Sequence, residues 1–376
     1  MNRRLPVTLV GGFFGAGKTS LLHHVISEHR GGHLAVLVEN PGALNLDAKA
    51  LRGLCGAMRR QNDAVFEIPD GEGAAQVQAV AACLRDLAEA GRYERVLIEV
   101  AGTANPAWLP EYFLAGGPLN SWGHLEQIIC VVDAFDYFHI GAEFSKSWGS
   151  FQDEQIASST LVVLNKCDLL EEHELAMCSA KLRKVHPLAQ VAETAYGEIP
   201  VELCVKPATR SELVAAFERR SDLPLTELPP LSSALYRVHR PFHPGRFWDW
   251  FNADHPGLLR VKGLIWLATR NLLVGGVSRT RWQNTCGAAG IWWAALPREE
   301  WPQEPQALMR MQETWREPYG DRRQELVLVG DPEHLSSTMR RQLDACLLTD
   351  QEFAQPFQEW AALPDPFPAW DLEDGE

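Results

Sequence analysis

Long hydrophobic runs, closely spaced cysteines and a surplus of positive charge are all missing from this sequence. No apolar run approaches the roughly 20 residues of a transmembrane helix, so we expect no membrane segment. The 35 lysine and arginine residues face 49 aspartate and glutamate residues, a net charge of −14, which disfavours nucleic acid as a partner. The eight cysteines are never closer than eleven positions apart, so they form no C-x-x-C metal knuckle and no pattern typical of a disulfide framework, which favours a cytoplasmic location.

The chain is long enough to form two domains, and its composition changes between its two halves. Ten of the thirteen tryptophans lie beyond residue 240, and a proline-rich polar stretch separates the halves. Such a stretch is typical of a linker. The sequence therefore predicts a first domain at 1–220, a linker at 221–232, a second domain at 233–350 and a proline-rich acidic tail at 351–376.

Apolar runs alternate with helical patterns before the linker, and several of these runs are continuously apolar. That pattern is expected of an α/β domain whose mainly parallel sheet is covered by helices on both faces. Its predicted strands lie at 5–10, 34–39, 64–68, 95–100, 127–135 and 160–166. The second half is predicted to be a smaller α+β domain. Its strands are predicted at 234–242, 258–268, 271–280, 289–296 and 324–330, and its helices at 244–254 and 332–346.

The stretch GGFFGAGKTS at 11–20 fits G-x-x-x-x-G-K-[ST] between a predicted strand and a predicted helix, as a phosphate-binding loop requires. Glycines let backbone N–H groups approach phosphate oxygens, and the following helix adds the positive end of its dipole. We expect Lys18 to face solvent and to act as a catalytic group on the β- and γ-phosphates, while the Thr19 hydroxyl binds Mg²⁺. The predicted nucleotide contacts of this loop are Gly12, Gly15, Ala16, Gly17, Lys18, Thr19 and Ser20.

A second pattern, N-K-x-D, follows a later apolar strand in LNKCDLL (164–170). Asp168 is placed to accept hydrogen bonds from N1 and the exocyclic amine of guanine, donors that adenine lacks, so the pattern favours GTP over ATP. Asn165 is expected to fix the loop and contact the base edge, and the stem of Lys166 to lie along the ring. Ala195, one βα unit later in ETAYGEIP, is a weaker candidate for a further base contact.

The segment LIEVAGTANP (97–106) supplies a third candidate element at a strand end. Gly102 is placed to offer its N–H to the γ-phosphate, and Glu99 to orient the attacking water or a water on Mg²⁺. The structural alternative for Glu99 is a strand-end carboxylate that caps the next turn. Both residues are therefore candidates for the catalytic step.

Together these residues resemble the CobW family of P-loop GTPases, which are relatives of the HypB and UreG metallochaperones. The opening GGFFGAGKTSLL, the E-x-x-G segment and N-K-x-D match the family in order. The segments HRPFHPGRFWDW (239–250), LLRVKGLIWLATR (258–270) and GDRRQELVLVG (320–330) resemble its C-terminal domain. The resemblance implies a P-loop GTPase domain with GTP and Mg²⁺. It also implies GTP-gated handling of a transition metal, mainly zinc, for client proteins.

The family's cysteine ligands are missing from this sequence. Where the family reads E-L-x-N-G-C-x-C-C, residues 67–75 read EIPDGEGAA, so the three cysteine positions hold Glu72, Ala74 and Ala75. Tight zinc binding at such a site relies on thiolates, and alanine cannot bind a metal at all. We therefore expect no thiolate zinc site.

The acidic ligands of the family are also reduced. The family's two acidic positions in 39–47 hold Asn40 and Ala43, although Asp47 remains, and the resemblance implies that Asp47 is a weak Mg²⁺ ligand. The other acids of the two segments could at most form a weak oxygen site for a hard metal, and they are expected to be solvated loop charges, namely Glu39, Glu67, Asp70 and Glu72.

Two functions remain open from the sequence. The first is an enzyme and switch, a GTPase that couples hydrolysis of GTP to delivery of metal, with zinc left open, or to activation of a metalloenzyme client. The second is a diverged protein-interaction switch that uses GTP and no longer binds metal. No arginine occurs in 39–47 or 97–106, so hydrolysis is expected to be slow without a partner. A homodimer is compatible with either function.

The guanine assignment predicts the outcome of a competition experiment. GTP and GDP are expected to displace a fluorescent guanine nucleotide from the purified protein, because Asp168 pairs with donors that guanine carries. ATP at the same concentrations is expected to leave the fluorescent nucleotide bound. Equal displacement by ATP would contradict the assignment.

Overall fold

The computed structural model describes residues 4–39, 64–68, 74–102, 109–113, 116–143, 146–221, 232–280, 283–302, 305–336 and 338–370. They form two compact units, one before and one after the segment 222–231, and each is described by itself. Within these ranges no helix is long and apolar enough to cross a membrane. The domain boundaries drawn from the sequence stay predictions.

The first unit is built on a seven-stranded parallel sheet covered by helices, so the predicted fold class is confirmed. Its strands are β1 (Leu5–Gly11), β2 (Leu34–Glu39), β3 (Ala64–Ile68), β4 (Arg95–Glu99), β5 (Gly123–Asp133), β6 (Leu161–Asn165) and β7 (Gln190–Glu193). Their order in the sheet is β3-β2-β4-β1-β5-β6-β7. Central strands such as β2 are buried on both faces, which explains why their sequences are continuously apolar.

Helices cover both faces of this sheet. They are α1 (Lys18–Glu28), α2 (Ala74–Ala90), α3 (Ala134–Glu143), α4 (Lys146–Ala157), α5 (Glu172–Val185), α6 (Val201–Val205) and α7 (Arg210–Ser221). Successive strand residues point to opposite sides, so Leu9 packs in the cluster that contains α2 while Val10 packs with α1. Because the strands are parallel, their carboxyl ends share one edge, and the loops that follow β1, β4, β5 and β6 lie along it.

The second unit contains a five-stranded antiparallel sheet of order β11-β10-β9-β12-β8. The strands are β8 (Ser232–Val238), β9 (Leu258–Ile265), β10 (Leu273–Arg279), β11 (Asn284–Ile291) and β12 (Gln324–Gly330). The helices are α8 (Pro244–Asn252), α9 (Pro305–Thr314), α10 (Pro332–Ser336), α11 (Thr338–Cys346), α12 (Asp350–Phe353) and α13 (Phe357–Ala361). Three side chains on α8 are buried in the core of the second unit, as their helical spacing indicates, and they are Phe247, Trp250 and Phe251.

One strand of this sheet lies earlier than the sequence predicts. The alternation in IWWAA placed a strand at 289–296, but β11 ends at Ile291 and a 3₁₀-helix follows at Trp293–Ala295. β11 lies at the edge of the sheet and pairs with β10 through its backbone, so its sequence NTCGAAGI needs little apolar character. Trp292 follows the end of the strand but is buried, so its hydrophobicity led the prediction to place the strand too late in the sequence.

The chain beyond residue 350 packs into the second unit as far as Trp370. Trp360 and Phe367 are buried in its hydrophobic clusters. Arg270 binds Asp365 at 2.8 Å, and its guanidinium lies 4.2 Å from the ring centre of Trp370. Trp360, Phe367 and Trp370 of the predicted acidic tail thus contribute to the core, and 371–376 lie outside the described residues.

Candidate functional site

The loop between β1 and α1 has a backbone that requires glycine at two positions. Gly12 has φ 133° and Gly17 has φ 103°, both in the region that residues other than glycine rarely adopt. A Cβ on Gly12 would overlap the carbonyl oxygen of Val131 on β5, and a Cβ on Gly17 would overlap the side chain of Asn165. The other predicted contacts of this segment follow in the loop or in the first turn of α1, and they are Gly15, Ala16 and Ser20.

Lys18 is buried, which corrects the expectation that it faces solvent. Its exposed fraction is 7%, and its Nζ donates to the carbonyl oxygens of Gly12 at 2.9 Å and Phe13 at 3.2 Å. These carbonyls replace water around the ammonium group, because an unpaired buried charge is costly. The charge of Lys18 is therefore held against the glycine-rich loop.

Glu99 ends β4 beside the same loop. β1 and β4 are neighbours in the sheet, with Val10 opposite Glu99. Glu99 is buried, and the Thr19 hydroxyl donates a long hydrogen bond of 3.5 Å to its Oε1. A hydroxyl beside a carboxylate fits Mg²⁺, which binds oxygen donors. Gly102 also lies against this loop, since a Cβ there would come within 3.0 Å of the backbone nitrogen of Phe14.

Asn165 joins the phosphate-binding loop to the loop that follows β7. It ends β6 and is 2% exposed. Its Nδ2 donates to the carbonyl of Ala16 at 2.8 Å, and its Oδ1 accepts from the N–H of Gly197 at 2.9 Å. This geometry agrees with the predicted loop-fixing role of Asn165, and its contact with a base stays a prediction.

The two segments predicted to read the base are attached to each other. Asp168 is exposed within the 3₁₀-helix Cys167–Leu169. The N–H of Cys167 donates to the carbonyl of Thr194 at 3.1 Å, directly before Ala195. The carbonyl of Ala195 in turn accepts from the Thr194 hydroxyl at 2.9 Å. The structure thus brings Asp168 and Ala195 onto adjoining loops and leaves the Asp168 carboxylate accessible to a ligand.

Two buried aspartates beside Lys166 were not identified from the sequence. Asp133 ends β5, and its Oδ2 lies 2.6 Å from Nζ of Lys166. Asp136 follows in the first turn of α3, is 7% exposed, and its Oδ1 has no hydrogen-bond partner among the described residues. Burial above all, and then the charge of Asp133, raise the pKa of Asp136 to about 8, while Lys166 acts to lower it. The available signal was an acid that ends the apolar run QIICVVD.

Glu39 is also buried, which corrects its assignment as a solvated loop charge. It ends β2 at 9% exposure and accepts hydrogen bonds from the N–H of Ala101 at 2.9 Å and from Nε2 of Gln76 at 3.1 Å. Burial is the largest influence on its carboxyl and raises its pKa. Glu39 therefore links the ends of β2 and β4 to α2. Glu67 on β3, by contrast, is exposed as expected.

The region of the family's cysteine motif is described only in part. Ala74 and Ala75 begin α2 and are exposed. The predicted weak Mg²⁺ ligand Asp47 lies outside the described residues, as do Asp70 and Glu72. Within the described ranges, no group of three or more histidine, cysteine, aspartate or glutamate residues is placed to hold a metal ion.

Two family profiles match this chain. The one described as "CobW/HypB/UreG, nucleotide-binding domain" matches residues 6–193, and the one described as "Cobalamin synthesis protein cobW C-terminal domain" matches residues 231–347. The boundary between the two compact units lies within the gap 194–230 between the two matches, and the first profile covers the phosphate-binding loop, Glu99 and the N-K-x-D segment.

Individual proteins show the same similarity. Zinc-regulated GTPase metalloprotein activator 1 of Dictyostelium discoideum is 27% identical, covering 96% of this chain and 84% of its own length. The zinc chaperone CobW of Pseudomonas aeruginosa is 31% identical over an alignment that covers 56% of this chain and 62% of the relative's length. A crystal structure of Zn(II)-bound YjiA GTPase from E. coli aligns with this chain at 18% identity and a TM-score of 0.39. The alignment covers 92% of this chain and 100% of the YjiA chain.

The buried Asp136 predicts a pH-dependent loss of stability. Burial raises the pKa of Asp136 in the folded protein, so its protonated carboxyl is favoured by folding. Its contribution to the free energy of unfolding is fully present below the unfolded pKa and is lost as the pH rises through about 8. The side chain in Asp136→Asn cannot ionise. Between about pH 6 and about pH 8.5, the free energy of unfolding of this variant in urea is therefore expected to fall less than that of the wild type. Asp86→Asn, at an exposed acid, serves as the control. Identical pH profiles for Asp136→Asn and the wild type would contradict this account.

Proposed function

The chain belongs to the CobW/HypB/UreG family of nucleotide-binding proteins, and from that premise we propose that it is a GTP-hydrolysing switch coupled to the handling of a metal, with zinc as the proposed metal. One observation carries the proposal: three motifs meet at one edge of the parallel sheet. They are the phosphate-binding loop after β1, Glu99 at the end of β4 and the N-K-x-D segment at the end of β6. Phosphate, metal and base contacts are then available from one set of loops.

The phosphate end of the nucleotide is proposed to bind over the glycine-rich loop. Its backbone N–H groups and the amino end of α1 offer donors to phosphate oxygens, and Lys18 offsets the charge of the β- and γ-phosphates. Thr19 is the proposed Mg²⁺ ligand, with Asp47 as a weaker one, and Glu99 beside Thr19 is proposed to orient the attacking water or a water on Mg²⁺. Mg²⁺ supplies charge neutralisation at the phosphates when bound.

The segment after β4 is proposed to report the presence of the γ-phosphate. Gly102 lies against Phe14 of the phosphate-binding loop, and its N–H is the proposed donor to that phosphate. Ala101, one residue earlier, is held by the buried carboxylate of Glu39. Movement of Gly102 on hydrolysis would therefore act on a segment that is anchored to β2.

The base is proposed to lie between the two attached loops that contain Asp168 and Ala195. The exposed carboxylate of Asp168 accepts from guanine, whereas adenine would leave it without donors. Asn165 keeps these loops against the phosphate-binding loop through its hydrogen bonds to Ala16 and Gly197. Base and phosphate recognition are thus mechanically linked.

The metal-handling part of the proposal rests on the relatives, which are named as a zinc-regulated metalloprotein activator and a zinc chaperone. Because Ala74 and Ala75 replace thiolate positions, we propose that a metalloprotein client supplies part of the metal site. The same replacement favours a second candidate function, in which the protein toggles a protein interaction with GTP and carries no metal.

Turnover by the purified full-length protein tests the hydrolase assignment. With GTP and Mg²⁺ we expect a slow rate near ~10⁻³ s⁻¹, and Lys18→Ala is expected to lower it by at least ~10-fold because phosphate charge is no longer offset. Lys184→Ala removes an exposed lysine of α5 and should leave the rate unchanged. Unchanged hydrolysis in Lys18→Ala would place the reaction elsewhere, and many turnovers per second without a partner would contradict the switch.

Zinc binding separates the two candidate functions. Without thiolates, the chain should fall well short of the ~10 kcal/mol or more of a structural zinc site, so equilibrium dialysis is expected to find no stoichiometric zinc at about nanomolar free metal. Weaker binding at about micromolar zinc that appears with GTP and not with GDP supports carriage of metal by this chain. No binding with either nucleotide supports the second candidate. Nanomolar binding that Cys55→Ser with Cys83→Ser abolishes would contradict our interpretation of the altered motif.

A further inference from the structure

Asp133 lies where the end of one strand meets the base-binding segment of the next. β5 and β6 are parallel neighbours, and their register places Asp133 directly opposite Asn165. The side chain of Asp133 is 3% exposed, so its charge is compensated inside the protein. The compensating cation is Lys166, whose Nζ lies 2.6 Å from Oδ2 of Asp133.

The orientation of this carboxylate is fixed from a second side. Its Oδ1 accepts the backbone N–H of Asp136 at 3.1 Å, within the first turn of α3. The carboxylate therefore uses one oxygen on the helix and the other on Lys166. A group held in this way presents its charge at a defined point, which a solvated surface acid does not.

Lys166 has a backbone conformation that calls for such support. Its φ of 61° and ψ of 33° lie in the left-handed region, which residues other than glycine seldom adopt. It stands between Asn165, which is tied to the phosphate-binding loop, and the 3₁₀-helix that carries Asp168. The conformation of Lys166 consequently decides where the Asp168 carboxylate lies relative to the phosphate-binding loop.

We propose that Asp133 is a positioning residue for the nucleotide base, holding Lys166 in its left-handed conformation so that the lysine stem and Asp168 present one fixed surface to guanine. The inference rests on the proposed binding of guanine nucleotide. Asp133 touches neither base nor phosphate in this account and acts through Lys166 alone. A simple structural ion pair would stabilise the fold without any specific effect on nucleotide affinity.

The affinity of Asp133→Asn for nucleotides tests the proposal in the full-length protein. We expect GTP and GDP to bind about tenfold more weakly and to equal extents, because the base loop serves both nucleotides. Turnover at saturating GTP should stay within about twofold of the wild type, since the phosphate end is unaltered. Glu126→Gln is the matched control, because Glu126 is another acid on β5, its side chain is 15% exposed, and it pairs with Arg95 at 2.7 Å near the opposite end of the strand.

The substitution Lys166→Gly shows whether Asp133 acts through Lys166. Glycine adopts the left-handed conformation without support, so in a Lys166→Gly background Asp133→Asn should change the affinity by less than about twofold. A tenfold loss that persists in this background would overturn the proposal and assign Asp133 a general structural role.

Circular dichroism and thermal melting report whether Asp133→Asn is folded. If it is not, Asp133→Glu keeps the charge on a longer side chain, and the same loss of affinity at unchanged turnover is expected. Wild-type affinity in whichever of these variants folds would overturn the inference while leaving the proposed function intact. A wild-type protein that fails to bind guanine nucleotides at all would instead remove the proposed function itself.

Discussion

A buried amide joins two loops of the proposed nucleotide site. Asn165 donates to the carbonyl of Ala16 in the phosphate-binding loop and accepts from the N–H of Gly197 in the loop after β7. It is 2% exposed, so water cannot substitute for either partner, and a loss of either bond would leave a buried polar group unsatisfied. The glycine at position 17 follows from the same contact, because a Cβ there would occupy the space of the Asn165 side chain.

The order of the strands explains why so many functional groups surround that amide. β1 lies at the centre of the sheet, with β4 on one side and β5 and β6 on the other. Glu99 thereby reaches Thr19 from one flank, and Asp133 reaches Lys166 from the other. Glu39 adds a third buried carboxylate at the end of β2. Each acid ends an apolar strand, so each is desolvated by the sheet and held by a specific donor or cation.

The sequence predicted those features that depend on neighbouring residues in the chain. The parallel α/β class followed from continuously apolar strands, and the α8 core stripe followed from the spacing of Phe247, Trp250 and Phe251. The glycine-rich loop was evident from GGFFGAGKTS. Strand β11 was misplaced because its stability comes from backbone pairing at a sheet edge, which leaves no apolar signature.

Contacts that depend on how the chain folds back on itself could not be predicted in the same way. The burial of Lys18 depends on how the glycine-rich loop folds back, and the burial of Glu39 depends on Gln76 and Ala101. The Asp133–Lys166 pair requires β5 and β6 to be parallel neighbours in a particular register. The sequence shows acids at strand ends but not which cation or amide each one meets.

Hydrogen–deuterium exchange in Asn165→Asp tests most directly the claim that this amide joins the two loops. A carboxylate still accepts from the N–H of Gly197 but has no donor for the carbonyl of Ala16. The account predicts faster exchange at residues 13–19, with little change at residues 194–198 and in β5. Asn165→Ala is predicted to loosen both segments. Unchanged exchange at residues 13–19 in Asn165→Asp would show that the phosphate-binding loop is held by other contacts, and the central claim would be wrong.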